Sequence, residues 1–353
     1  MALLKALEMA ISKSEKNGKD KTLSDLAEGV NTSSCKKDES APYFDGSQGK
    51  VDGSQGKEGL NPMTLGEVLK ANFPQKEMIL DPFLRTLDRV MIYARRGVGK
   101  TLFTLQLACA IASGEGFLKW KGSRPRKVLY LDGEMSAASI QERCVKAVQW
   151  SGLKDVTALN QNLTLVSPDF QDSPLPNLSY SEGQNLIWKL CEAHDVIIID
   201  SYLTLCEFGK INDAESFGPM EDFLLRLRKI GKTTILIHHS NKSGGQLGSI
   251  RKETTLETVL QLSDATDKDD VKQIRIVFDK TRDLVGGDKA ALIAAVTESG
   301  WHWRPDKEWI IQQVVELSRL GLKQTAIGAE LGISQSKVAR ILKGVKAKGA
   351  ESA

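Results

Sequence analysis

The sequence predicts an α/β protein in which a twisted, mostly parallel sheet surrounds a phosphate-binding loop, followed by a small all-α domain. Three observations carry this expectation. Residues 89–101 read Arg-Val-Met-Ile-Tyr-Ala-Arg-Arg-Gly-Val-Gly-Lys-Thr, an apolar run, a glycine-containing turn and a Lys-Thr pair opening a helical pattern that continues to Ser113. Short apolar runs at 90–94, 128–132, 196–200, 234–238 and 274–279 alternate with helical stretches, the order a parallel sheet with crossover helices requires. After Pro305 the apolar spacing turns helical three times in succession, with short turns between.

The chain has 353 residues and a formal charge of +3, which suits one large folded domain with something small at an end. None of the five cysteines (Cys35, Cys109, Cys144, Cys191, Cys206) is spaced as Cys-x-x-Cys, and four fall in apolar surroundings. That usage points to a reducing compartment and no metal cluster. Lys5 and Glu8 interrupt residues 1–11, so the stretch fails as a signal sequence and falls short of a membrane span. The expectation is a cytoplasmic protein with no membrane partner.

Residues 1–60 are expected to be a flexible tail. A short amphipathic helix is conceivable around Leu3, Leu4, Leu7 and Ile11, but Ser, Lys, Gly, Asp and Glu then dominate. Asp-Gly-Ser-Gln-Gly-Lys at 45–50 recurs at 52–57, a tandem copy without an apolar face, as in a spacer. A globular domain spans 61–304. Helical periodicity covers 137–150 and 217–230, the latter stopping at Gly231. Closely spaced runs at 271–279, 292–297 and 300–303 suggest a hairpin-rich sheet edge. The last domain, 305–353, has helical runs at 308–319, 323–331 and 334–343, with Ser334 as the N-cap of the third and Val338, Ile341 and Leu342 on its buried side.

The loop fits a P-loop. Backbone N–H groups wrap a phosphate only where side chains stay clear, which accounts for Gly97 and Gly99. Ala94, Gly97, Val98, Gly99, Lys100 and Thr101 form the expected ATP cradle, Lys100 facing the phosphates and Thr101 holding Mg²⁺. Ala94 stands where the first glycine is usual. Asp200 ends the run Val-Ile-Ile-Ile-Asp and would deliver a second Mg²⁺-linked ligand to the same edge; the plainer reading is an Asp that ends a strand. Glu134, in Asp-Gly-Glu-Met-Ser at 132–136, is the candidate catalytic base, or else an acid at a helix start. His238 or His239 closes a further strand where an imidazole could sense the γ-phosphate. A metal site there is disfavoured, because consecutive strand residues point to opposite faces. Lys280 and Arg282 sit together at a strand end, as a functional pair or a solvated one.

The succession of P-loop, Asp-Gly-Glu-Met-Ser, Ile-Ile-Ile-Asp, His-His and Lys-x-Arg resembles the RecA-like ATPases, specifically the plasmid RepA and DnaB-type hexameric replicative helicases, over about residues 62–303. The resemblance implies a RecA-like P-loop NTPase core with Mg-ATP at subunit interfaces of a hexameric ring. It also implies Glu134 as base, His238 or His239 as phosphate sensor, and Lys280 with Arg282 reaching a neighbour's ATP. The loop at 241–249, with Lys242 and Ser249, would face a central pore and touch single-stranded DNA.

Residues 322–342 resemble the helix-turn-helix of resolvases and bacterial regulators, with Gly332 at the turn. That likeness implies Gln335, Ser336, Lys337 and Arg340 facing a major groove of duplex DNA, with Lys343, Lys346 and Lys348 as phosphate contacts; a protein-docking module is the alternative. Gly328 occupies a position where alanine is usual, a change expected to loosen the second helix by up to about 1 kcal/mol. The combined expectation is an ATP-driven DNA motor of a plasmid, phage or other mobile element. The rival is a regulatory or recombination-mediator ATPase that binds duplex DNA and uses ATP as an assembly switch.

Overall fold

The computed structural model describes residues 60–153, 155–206, 217–240, 255–266 and 271–351. Residues 1–59, with the expected tail and its tandem repeat, and Lys242 and Ser249, expected to touch single-stranded DNA, lie outside the described residues. The chain divides into two compact units, Met1–Pro74 and Gln75–Ala353. In the first, helix α1 (Leu65–Lys70) is closed by a capping box in which the Thr64 hydroxyl accepts from the Glu67 N–H and the Glu67 carboxylate from the Thr64 N–H.

The second unit opens with β1 (Met78–Asp81) and β2 (Leu84–Arg85), followed by β3 (Arg89–Ala94), helix α2 (Lys100–Ser113) and β4 (Lys121–Gly122). Then come β5 (Val128–Asp132), α3 (Ala137–Ser151), α4 (Thr157–Asn162), β6 (Leu163–Val166), α5 (Ser181–Ala193), β7 (Val196–Asp200) and the short α6 (Tyr202–Leu205). After α7 (Gly218–Lys229), strands β8 (Thr233–His239), β9 (Thr258–Asp264), β10 (Gln273–Thr281), β11 (Leu292–Thr297) and β12 (Gly300–Pro305) complete the sheet. Helices α8 (Lys307–Arg319), α9 (Gln324–Leu331) and α10 (Gln335–Glu351) end the unit.

The main sheet has nine strands in the order β12-β11-β10-β9-β3-β8-β7-β5-β6. From β6 to β9 every pairing is parallel, and from β9 to β12 every pairing is antiparallel, the hairpin-rich edge that the closely spaced runs imply. β8 separates the P-loop strand β3 from β7. Strands β3, β5 and β7 are buried along their whole length because both faces are covered. Val90, Ile92, Tyr130 and Ile198 join the core beneath α2, whereas Met91, Tyr93, Leu129 and Ile197 join the core on the α7 side. The alternation is the strand period of two read as an unbroken apolar run.

Arg89 starts β3 with a buried ion pair. Its backbone N–H donates to Glu257 at 2.8 Å and its guanidinium lies 3.2 Å from the other carboxylate oxygen. This fastens the amino-terminal ends of β3 and β9, and losing one partner of such a buried pair costs about 3–5 kcal/mol. Among the described residues no helix is long and apolar enough to cross a membrane.

The three terminal helices enclose a small core of Ile310, Val314, Ile327, Leu331 and Val338, with Ile341 and Leu342 packed against it. Asp306 caps α8 through the N–H groups of Glu308 and Trp309 and also pairs with Arg275 of β10 at 2.5 Å. Ser334 accepts from the Lys337 N–H as an N-cap. Gly332 takes φ 64°, the left-handed turn glycine adopts without penalty. Gly328 departs from the expectation of a merely loosened helix. A Cβ there would lie 2.7 Å from the Ile333 carbonyl oxygen, so glycine lets the turn close on the helix. Gly328→Ala should therefore destabilise the protein by about 1 kcal/mol, because overpacking against backbone outweighs the gain in helix propensity. Chemical denaturation checks this, and a stabilised variant would refute it.

Candidate nucleotide site

The site lies where the parallel strands end. β3 delivers the loop at 95–99, with Gly97 at φ 83° and Gly99 at φ 108°, conformations that L side chains rarely adopt. Lys100 opens α2, buried, its Nζ 3.2 Å from the carbonyl oxygens of both Ala94 and Arg95. Burial lowers its pKa, while the carboxylates of Asp200 and Glu134 pull the other way. A cation so placed is aimed at an anion.

Asp200 ends β7 and Asp132 ends β5, as directly paired residues. Asp200 is almost wholly buried, and burial raises its pKa although the hydroxyls of Tyr130 and Thr101 donate to it. The Tyr130 hydroxyl stands 2.6 Å from Asp200 Oδ2 and 2.8 Å from Thr104 Oγ1. Thr101 and Asp200 thus form an oxygen-only donor pair beside Lys100, which suits a hard divalent cation such as Mg²⁺. The charge that burial penalises on Asp200 is the charge a cation would compensate.

Glu134 follows the turn after β5. Gly133 between them is required, since a Cβ would meet Thr204 Oγ1 at 2.5 Å. Glu134 Oε1 accepts from Ser201 Oγ at 2.6 Å and lies 3.3 Å from His239 Nε2. These contacts, that of His239 first, bring its pKa down to about 2. Asp132 is different: burial pushes its carboxyl up to about 6 against the Met135 N–H donated to it. The two histidines separate as consecutive strand residues must. His239 lines the cleft with Glu134 and Asp200, whereas His238 is fully buried with its ring against Tyr202. Of that pair, only His239 faces the carboxylates.

A cleft of about 730 Å³ joins these groups and runs on to Arg143, Lys146 and Trp150 of α3. Its lining holds five Lys or Arg side chains (positions 96, 100, 143, 146 and 272) against the three carboxylates Glu134, Glu142 and Asp200, a balance suited to a polyanion. Ser201, Tyr130 and Lys272 carry no motif signal. Lys280 and Arg282 lie elsewhere. Lys280 pairs with Val259 near the start of β9, while Ala94, before the P-loop, pairs with Leu262 near its end. The basic pair therefore stands at the opposite edge of the sheet from its own cleft. Gln335, Ser336, Lys337 and Arg340 are all exposed on α10; the side chains of Lys346 and Lys348 lie outside the described residues. Burial pushes the thiols of Cys109 and Cys191 up to about 12 and that of Cys144 up to about 11, leaving them protonated and unreactive at neutral pH.

The opposite shifts of the two acids can be read directly. In a carboxyl-carbon NMR titration of the nucleotide-free protein, Glu134 should stay ionised down to about pH 3, while Asp132 takes up a proton near pH 6. His239→Ala with Ser201→Ala should move the Glu134 midpoint toward the ordinary carboxylate value of about 4.3. An unmoved midpoint would remove these two groups as the cause.

Among solved structures, the chain is similar to a KaiC-like protein from the hyperthermophilic archaeon Pyrococcus horikoshii OT3, at 14% sequence identity and a TM-score of 0.47, covering 64% of this chain and 94% of that one. Residues 58–245, more than half of the chain, match the family model described as an AAA domain. With the P-loop, the buried strand-end Asp200 and the cleft between them in place, the chain belongs to the AAA domain family of P-loop ATPases.

Proposed function

We propose that this chain is a Mg-ATP-dependent, DNA-associated motor ATPase, a replicative-type DNA helicase of the RepA and DnaB kind, working as a homo-oligomeric ring, most simply a hexamer. The observation that carries this reading is the split between the cleft and the Lys280–Arg282 pair. A guanidinium at the far edge of the sheet meets a γ-phosphate only when another subunit brings one, and a ring supplies that geometry at every interface.

In this reading Lys100 and the loop N–H groups grip the phosphates. Thr101 and Asp200 would hold Mg²⁺, which when bound neutralises charge on the phosphate oxygens. Glu134, ionised and held by Ser201, orients a water and accepts its proton. His239 stands beside it as a phosphate sensor. Arg282 and Lys280 stabilise charge on the neighbour's transferring phosphoryl group.

The exposed Gln335, Ser336, Lys337 and Arg340 favour a second reading, a regulatory ATPase that grips duplex DNA through its last helices. Strand displacement on a forked duplex separates the two: a motor unwinds it, and an assembly switch binds without unwinding.

Lys100→Ala should abolish nucleotide binding or turnover, whereas Glu134→Gln should bind ATP and fail to hydrolyse it; normal turnover by Glu134→Gln would transfer the base role to Asp132. Arg282→Ala should bind ATP nearly normally but hydrolyse it about 10³-fold more slowly. Mixing it with Lys100→Ala should restore activity above either variant alone, because some interfaces then join an intact P-loop to an intact arginine. Full activity of Arg282→Ala alone would defeat the trans assignment.

A further inference from the structure

We infer that Lys272 is a second cation for the bound nucleotide's phosphates, supplied to the cleft of its own chain by the residue that precedes β10; this rests on the nucleotide-hydrolysis reading above. Lys272 is exposed, yet its side chain turns over the P-loop. Its Nζ donates to the Gly97 carbonyl, and it lines the same cleft as Lys100, Thr101, Glu134 and Asp200. A Cβ built on Gly99 would lie 3.3 Å from Ile274 Cδ1, 3.5 Å from Lys272 Cε and 4.0 Å from Lys272 Nζ. The ammonium thus stands about one van der Waals contact from the backbone that cradles phosphate.

The side chain pivots on a fixed base. The Lys272 carbonyl accepts from the Val296 N–H at 3.1 Å, and β10 then pairs on both sides, with β9 and with β11. Its acceptor at Gly97 is a neutral carbonyl. A phosphate oxygen is the stronger partner, since the ammonium then meets a full negative charge rather than a carbonyl dipole. A triphosphate in the loop therefore draws the ammonium away from Gly97, and the excess of cations in the cleft already favours that anion.

The test compares Lys272→Met and Lys272→Arg with wild type, using titration of a fluorescent ATP analogue with Mg²⁺ and thermal unfolding with and without ATP. Lys272→Met should weaken nucleotide binding about tenfold, the effect of losing one charge-assisted hydrogen bond. It should shrink the ATP-induced rise in Tm and lower the Tm of the free protein only slightly, since one exposed hydrogen bond to Gly97 is lost. Lys272→Arg should stay within about twofold of wild type, since the charge is kept. Unchanged affinity in Lys272→Met overturns the inference. So does a fall in the stability of the free protein with affinity intact, which would make Lys272 only a latch on the loop. Wild type that binds no nucleotide overturns the functional reading and this inference together, whereas wild type that binds while Lys272→Met binds equally well overturns this inference alone.

Discussion

A parallel sheet covered on both faces leaves its polar chemistry to the strand ends, and the carboxyl ends gather the cleft and its acids. β3, β5 and β7 carry apolar side chains into two separate cores, so Asp132 and Asp200 appear only as last residues, side by side. The loop that follows β3 opens onto the same edge. Charges concentrated there are partly desolvated, and each one is answered by a neighbour: Asp200 by Tyr130 and Thr101, Glu134 by Ser201 and His239. Removing the apolar cover from either face would dissolve the edge as a site, because water would screen every one of these interactions.

Electrostatics then sort the three acids. Asp200, almost wholly buried, resists carrying its charge, which a cation beside it would compensate. Asp132 is raised for the same reason but takes a backbone N–H instead. Glu134 is half-exposed and strongly hydrogen-bonded, contacts that bring its carboxyl down to about 2 and favour the carboxylate at neutral pH. One edge therefore brings together acids of different character, a difference that in the proposed reading would let metal holding and water activation be divided among them.

How much of this was legible depends on burial pattern. β5 and β7 coincide with their apolar runs to the residue, since a strand buried on both sides leaves no polar interruption. The P-loop helix ends at Ser113 as its periodicity implies. β9, Thr-Val-Leu-Gln-Leu-Ser-Asp, escapes such a reading because Gln261 and Ser263 break the run, and the edge strand β6 is only half-buried. In the site, Lys100, Glu134 and Asp200 stand in motifs whose spacing reports their chemistry. Tyr130 does not, because a tyrosine in an apolar strand looks like core. Lys272 reaches Gly97 from 175 residues away, and only the folded chain brings the two together. Gly328 was visible as a departure, but its sign depended on a carbonyl five residues on.

The terminal helices are tied to the sheet by short means. Gly332 approaches Gly287, Lys289 pairs with Glu330 at 3.2 Å, and Arg275 holds Asp306. The turn at Gly286–Lys289 begins only four residues after Arg282, whose N–H is itself anchored on the Glu257 carbonyl. These contacts place the outer helices within a few residues of the basic pair in the chain. The helices are thus fastened to that corner of the sheet at three points, on either side of the turn that follows Arg282.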